Sequence, residues 1–432
     1  MQRYESYKPS GVEWLGEIPS HWDVKRNIGV FDERKESNQA NMELLSVTIN
    51  RGIIKQDEIT AKKDSSNEDK SKYKVVRKDD LAYNKMRMWQ GAIGASDYDG
   101  IVSPAYIVLR PRDTFYSRYF HYLYRTEAFI AEANRHSYGL CLDMNSLRYE
   151  DFKTIYSPVP PQTDVERIVN FLDQKTAEID AATAKKQWLI ELLQEQKSIL
   201  INQAVTRGLN PNVVMRESEV EWIGEVPAHW ERYKLKRCIN LLPGFAFKSN
   251  QYSMEESDIP LLRGVNINPG KVNWEETVYW PATKIDSYSA YLLKEGDLVI
   301  GMDRPWVTDG IRVARIRNKD LPCLLLQRVA RIRAKKKITQ GFLEIVLTSR
   351  GFLNYFEPML TGISVPHISP DQIGNFEVNL PPIIEQENIC AFVKTITETS
   401  NKIIASEEKA RDKLLDLRIA LISEVVTGNI KV

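Results

Sequence analysis

The sequence predicts an α+β protein built twice: two similar globular α/β units separated by two long helices, which pair as an antiparallel coiled coil about a pseudo-twofold axis. Three repeated features carry that prediction. SGVEWLGEIPSHW at 10–22 returns as SEVEWIGEVPAHW at 218–230, with nine of thirteen positions identical. VPPQTDVERIVNFL at 159–172 returns as LPPIIEQENICAFV at 380–393, 221 residues later. AVTRG at 204–208 returns as VVTGN at 425–429 at that same spacing. Internal repetition fixes architecture before any local reading, and here it divides the chain into a unit at 1–161, a helix at 162–208, a unit at 209–382 and a helix at 383–432.

The first unit holds strand-like runs at ELLSVTI (43–49) and GIVSPAYIVL (100–109), then a helical stretch near 115–134. The second holds GDLVI (296–300) and VARIRA (329–334), then a helical stretch near 339–356. RKDDLAYNKMRMW at 77–89 parallels LKEGDLVIGMDRPW at 293–306, aligning Asp80 with Asp297, Arg87 with Arg304 and Trp89 with Trp306. The two units therefore share one fold while their surfaces differ.

In the helices, alternating steps of three and four residues pick out an apolar seam. It runs through Ile168, Leu172, Ile179, Leu189, Leu193 and Leu200, and through Ile389, Val393, Ile403, Leu414, Leu417 and Leu421. Pro160–Pro161 and Pro381–Pro382 stop the preceding strands, and Gly208 and Gly428 end the helices. Some 44 residues make a rod of roughly 65 Å. Each helix packing only on its own unit is the competing arrangement. The absence of any length difference across both helices favours a shared seam, since a seam constrains length.

Composition is that of an ordinary globular protein, with 43% hydrophobic and 27% charged residues in 432. No run approaches the roughly 18 apolar residues of a membrane span, and the N-terminus has no apolar leader core, so no membrane partner is expected. Cys141, Cys238, Cys323 and Cys390 stand far apart, which indicates neither a disulfide framework nor a zinc site and fits a reduced cytoplasm. The net charge of +1 argues against a uniformly basic nucleic-acid coat, yet 304–337 holds eleven basic residues against Asp309 and Asp320.

Catalytic machinery is not expected. NLPPI at 379–383 is the closest string to a methyltransferase site, but Leu380 intervenes and VPPQ at 159–162 repeats it as a strand-to-helix junction. No phosphate-binding glycine loop exists. The Glu-x-Lys triplets at 68–70 and 407–409 fall in a polar loop and in the heptads. The five histidines lack metal spacing, and His21 and His229, each before a tryptophan of the repeated motif, read as structural.

What the sequence does offer is donors for nucleic-acid contact. Such readers need phosphate-binding cations, base-edge donors and loops whose backbone enters a groove. In the first unit, NKMRMWQGAIG brings Lys85, Arg87 and Gln90 around Trp89, ahead of permissive glycines. In the second, MDRPWVTDGIR puts Arg304, Trp306 and Arg312 at the matching place. GFAFKSN and LLRGVNI add Lys248 and Arg263, while His136 and His367 lie beside the Gly139 and Gly362 turns. Arg315 and Arg317, then Arg331, Arg333 and Lys335, alternate along strand-like segments, so each set faces one side of a sheet. Each residue also has a purely structural reading, and a tryptophan in such a turn commonly plugs a core.

The paired openings, the NKMRMWQGAIG…GIVSPAY run and the LPPIIEQENI helix start together resemble the type I restriction–modification specificity-subunit family across essentially the whole chain. The resemblance implies that each globular unit is a target-recognition domain for double-stranded DNA, and that the helices space the domains and dock two methyltransferase subunits. The adenine methylation that uses S-adenosylmethionine, and the ATP- and Mg-dependent cleavage where restriction subunits are present, would belong to those partners. No cofactor is expected in this chain. VPPQTDVERI departs from the family pattern by lacking the Glu-Gln of LPPIIEQENI. Two other classes stay open: a stand-alone two-headed DNA-binding regulator, and a scaffold whose units bind protein.

Overall fold

The computed structural model describes residues 2–49, 51–59, 70–139, 145–220, 223–307, 310–360 and 366–432. Cys141, Glu68, Asp309 and Gly362 lie outside them. The elements that organise the first half are β1 (Phe31–Glu33), β2 (Leu81–Asn84), β3 (Ile93–Ala95), β4 (Tyr106–Pro111), α1 (Ser117–Leu123), α2 (Glu127–Arg135) and the 46-residue α3 (Gln162–Arg207). Their counterparts are β5 (Ile239–Pro243), β6 (Leu298–Gly301), β7 (Val313–Arg315), β8 (Val329–Ala334), α4 (Gln340–Thr348), α5 (Arg350–Leu360) and the 44-residue α6 (Ile383–Val426). No described helix is long and apolar enough to cross a membrane.

The chain divides into two units, Met1–Trp188 with Glu408–Val432, and Leu189–Glu407. Each contains one globular head and a half of each long helix. The heads share a four-stranded antiparallel sheet, ordered β1-β4-β2-β3 in the first and β5-β8-β6-β7 in the second. The 100–109 run is not one strand. Gly100–Val102 pairs with Lys74–Val76, and β4 starts after Pro104, which has no N–H to continue a ladder. Each helical stretch is likewise two helices, the second of them begun in the first head by Thr126, whose hydroxyl accepts from the Phe129 N–H.

The repeated motifs close each head. In the first unit Tyr7–Pro9 pairs with Glu17–Pro19, and Asp23–Arg26 pairs with Tyr156–Val159 just ahead of α3. In the second, Met215–Glu217 pairs with Glu225–Pro227, and Glu231–Lys234 with Glu377–Leu380 just ahead of α6. Trp22 and Trp230 are buried plugs. Trp22 Nε1 donates to Asp164 Oδ2 at 2.9 Å, and His21 Nε2 lies 2.7 Å from that oxygen. Trp230 Nε1 donates to Glu385 Oε1 at 3.2 Å, and His229 Nε2 lies 2.8 Å from Glu385 Oε2.

Asp164 is therefore the counterpart of Glu385, so the departure of VPPQTDVERI from the family pattern leaves this carboxylate in place. Both acids sit in the first turn of their helix, where a negative charge is favoured. Burial would raise the Asp164 pKa, but hydrogen bonds from Trp22, His21 and Arg167 hold it below the usual carboxylate range.

The glycines that end the helices abut these same plugs. Gly428 adopts φ +81° against Pro19 and Trp22, and Gly208 adopts φ +74° against Trp230 and Pro227. Positive φ favours glycine, and a side chain would also collide.

The long helices run antiparallel within each unit. In the first, Arg418 Nε lies 2.9 Å from Asp180 Oδ1, and Arg411 Nη1 donates to Gln187 Oε1 at 2.7 Å. In the second, Lys197 Nζ donates to Asn401 Oδ1 at 3.0 Å. Moving up α3 matches moving down α6 by equal steps. Ile168, Leu172 and Ile179 share a core with Leu421, Val425, Val426 and the first head, and Ile389 and Val393 share one with Ala204 and the second.

The strict heptad fails in mid-helix. Leu193, Leu200 and Leu414 are half-buried, but Leu189, Ile403 and Leu417 are exposed at 38%, 43% and 53%. A straight helix drifts about 20° per heptad from a 3.5-residue repeat. The inward row of α3 follows eleven-residue steps instead, through Ile168, Ile179, Ile190 and half-buried Ile201.

Candidate nucleic-acid interface

In the first unit the candidate residues share the loop between β2 and β3. The Lys85 carbonyl accepts the Leu147 N–H at 2.9 Å, which ties the loop to the segment after α2. A single 3-10 turn, Met88–Gln90, follows, and Gly91 closes it at φ +79°. The plug here is Met88, fully buried, whereas Trp89 is half-buried and Arg87 exposed. Gln90 lines a cavity of ≈ 710 Å³ with His121, Arg125 and Ile130. His136 Nδ1 lies 3.0 Å from the Glu132 carbonyl at the end of α2, where it caps the helix.

Beside Lys85 stands a cationic group absent from the sequence reading. Lys74 and Lys35 flank the Glu33 carboxylate at 3.8 and 3.6 Å. Burial lowers the Lys74 pKa; Glu33 opposes that, and the charges of Lys85 and Lys35 add to it. A phosphate would relieve this crowding of positive charge.

In the second unit the matching loop is held on both sides. The Met302 N–H donates to the Arg328 carbonyl at 2.9 Å, the Met302 carbonyl accepts from Ile368 at 2.9 Å, and Arg304 N–H donates to Pro366 at 2.7 Å. Asp303 accepts from Arg328 Nη1 and from His367 Nδ1, both at 2.6 Å. Burial raises the Asp303 pKa, yet hydrogen bonds from Arg328 and His367 bring it below the usual range. Arg304 and Arg328 have φ +45° and +66°. Left-handed backbone at two non-glycine residues is strain of the kind that collects at functional sites.

The other candidates do structural work. Arg263 donates to the Glu276 carbonyl, and Arg312 Nη1 donates to the Gly264 carbonyl at 3.1 Å, so these two arginines hold neighbouring backbone. Trp306 packs half-buried against the second core. Lys248 is exposed at the start of the Ser249–Gln251 turn.

The alternating arginines are absorbed too. Arg333 clasps Asp297, Arg315 pairs with Glu344 of α4, and buried Arg331 donates to the Ala290 carbonyl at 3.2 Å. Of the eleven basic residues over 304–337, Arg315, Arg328, Arg333 and Lys337 are paired with carboxylates among the described residues. Structure brings together Arg304 and His367, through Asp303, and adds Arg328. The usable signal was the alignment that sets Met86 opposite Asp303, one residue before the matched arginines.

Residues 227–411 match the family model described as the type I restriction modification DNA specificity domain. The chain is 33% identical over 234 residues to the specificity subunit of the type I restriction enzyme EcoAI of Escherichia coli, covering 54% of this chain and 39% of that protein. It is 30% identical over 285 residues to that of MjaVIII of Methanocaldococcus jannaschii, covering 65% and 63%. The matched part thus spans less than two thirds of either relative's length.

Among solved structures, a chain from work on complex assembly and conformational transition of the type I R-M system aligns with TM-score 0.73 and 16% identity, covering 96% of this chain and 99% of that one. The HsdS subunit from Thermoanaerobacter tengcongensis aligns with TM-score 0.54 and 18% identity, covering 96% and 98%. These two likenesses are of fold.

Proposed function

We propose that the chain is a specificity subunit of the type I restriction–modification family, a reading supported by the match of residues 227–411 to that family's DNA specificity domain, and that it reads an asymmetric, two-part DNA target and leaves the chemistry to partner subunits. One observation carries the reading. The two heads present the same backbone scaffold, but at matching places along it their exposed side chains differ. Equal scaffolds supply equal docking on DNA, and unequal side chains supply unequal half-sites. Centres about one helical turn apart, roughly 34 Å, suit a protein that meets one side of the duplex twice.

The helices set the gap between half-sites in this reading. They also offer a docking face for two methyltransferase subunits, supported by Trp188, Leu192, Ile199, Ile403 and Ile419, large apolar residues left exposed along α3 and α6. Those subunits bring S-adenosylmethionine and flip the adenine out of the stack. Where restriction subunits join, they bring ATP and Mg. The assembly acts on cytoplasmic DNA.

The test is long-read methylation mapping in a host carrying the gene, without it, and with four residues added to each long helix. The expected result is a two-part motif that vanishes without the gene and whose gap alone changes in the lengthened variant. An unchanged gap refutes the spacing role. Failure to co-purify with methyltransferase chains points to the stand-alone regulator instead.

A further inference from the structure

The two heads carry one backbone constellation with opposite chemistry on it. In the first, Lys85 N–H donates to the Ala105 carbonyl at 3.4 Å while its own carbonyl accepts from Leu147. In the second, Met302 makes the same two bonds, to Arg328 and from Ile368. The match sets Met86 against Asp303, Ala105 against Arg328, and Ser146, just before Leu147, against His367. Three residues far apart in sequence thus meet on each head, apolar or neutral in one and fully charged or ionisable in the other.

The charged set is built rather than scattered. An ionised carboxylate only accepts, so the His367 nitrogen facing Asp303 carries a proton and Nε2 is the ring nitrogen left for a ligand. Arg328 has Asp303 as its one side-chain partner among the described residues, through Nη1, which leaves the rest of its fork of donors unspent. The Arg328 and His367 side chains are 64% and 48% exposed, whereas the Asp303 between them is 25% exposed. Two exposed side chains oriented by a half-buried acid lose less rotamer freedom on binding than two loose ones would. The backbone beneath is fixed by β8 and by the 366–368 segment, and Arg304 projects from the next position.

We propose that Arg328 and His367, held by Asp303, read base edges in the second half-site, with Arg328 taking a guanine through its O6 and N7 acceptors. Asp303 is a positioning residue. The inference rests on the DNA-reading function proposed above; to His367, which the sequence did single out, it adds Arg328 and Asp303, which it did not, at the places where the first head carries Met86, Ala105 and Ser146.

The test uses the full chain with its partner methyltransferase subunits in the host, mapped by methylation sequencing. Arg328→Asn is chosen because asparagine tolerates left-handed backbone. It should relax one position of one half-site, with discrimination falling roughly 10- to 100-fold, while the other half-site and the gap stay intact. His367→Gln should act at the same or the adjacent position. Asp303→Asn should reproduce the Arg328→Asn relaxation more weakly, and Asp303→Glu should restore part of it, a recovery that mere loss of packing would not give.

If Arg328→Asn fails to fold, judged by loss of co-purification, His367→Gln decides alone. Unchanged motifs in the folded variants overturn this inference only. A wild-type methylome with no two-part motif overturns the functional reading beneath it.

Discussion

The two heads differ most where their backbones agree best. Asp80 and Asp297 precede equivalent strands and both clasp an arginine, yet Asp80 takes Arg34 from beyond β1 and Asp297 takes Arg333 from β8. His121 of α1 corresponds to Glu344 of α4 two residues after the buried pair Tyr119 and Phe342, and the first is a neutral buried imidazole while the second is paired with Arg315. At the clamp between motif and helix the heads converge again, with His–Trp on an acid in both. Constraint therefore sits at the junctions with the helices, and freedom sits on the sheet-edge loops. The proposed function requires this distribution, with constant assembly and a variable target.

The largest effect should follow from breaking a junction. Trp22→Ala and Trp230→Ala each remove a fully buried plug and the N–H that satisfies a helix-start carboxylate, at a cost of about 3–5 kcal/mol. Hydrogen exchange read by mass spectrometry should show protection lost chiefly in β1–β4 for Trp22→Ala and in β5–β8 for Trp230→Ala. Equal loss throughout both heads from either variant would mean that the junctions are not local.

Much of this was legible in the sequence, for a physical reason. The junction motifs are contiguous and immobile, since Trp22, Asp164, Gly428 and their counterparts must all meet at one point, so they recur as strings. The helices were legible for the same reason, although a 3.5-residue ruler misplaced Leu189, Ile403 and Leu417 onto the inner row. The proposed reading site was legible only as a location. Arginine side chains look alike in sequence, and only the fold distinguishes Arg312 and Arg263, spent on carbonyls, from Arg304 and Arg328, which stand exposed. Asp303 gains its role by meeting residues 25 and 64 positions away.

A smaller effect separates the two helix ends. Gly428→Ala would place its Cβ 2.5 Å from Pro19 Cδ and 3.0 Å from Trp22, both rigid rings, on top of an unfavourable positive φ. Gly208→Ala meets Glu385 Oε1 at 3.0 Å and Trp230 Cζ2 at 3.3 Å, milder overlaps than those at Gly428. The backbone term alone is about 1–2 kcal/mol, so Gly208→Ala should cost near that and Gly428→Ala clearly more, measured by denaturant midpoints. Equal losses would mean that the two junctions yield alike and that the rigidity of Pro19 is irrelevant.

The smallest effect is a pH dependence confined to the first unit. His121 is buried, with its Nδ1 accepting the Ala95 N–H at 3.2 Å, and burial with the nearby charges of Arg125, Arg118 and Arg418 holds its pKa well below the usual histidine value. In the folded head it therefore stays neutral where the unfolded chain, with an ordinary pKa near 6.5, takes up a proton. Stability falls with falling pH wherever the unfolded state binds more protons. The first unit should accordingly lose up to about 1.4 kcal/mol per pH unit below roughly pH 6.5 from this residue, with no loss above it. The second unit has Glu344 in that place, salt-bridged to Arg315, and lacks this term. Exchange of the Ala95 amide between pH 7.5 and 5.5, corrected for intrinsic rate and set against amides of β6, isolates the difference. His121→Gln should flatten it, and a first unit whose protection holds steady across that range would show that the imidazole gains its proton without opening the head.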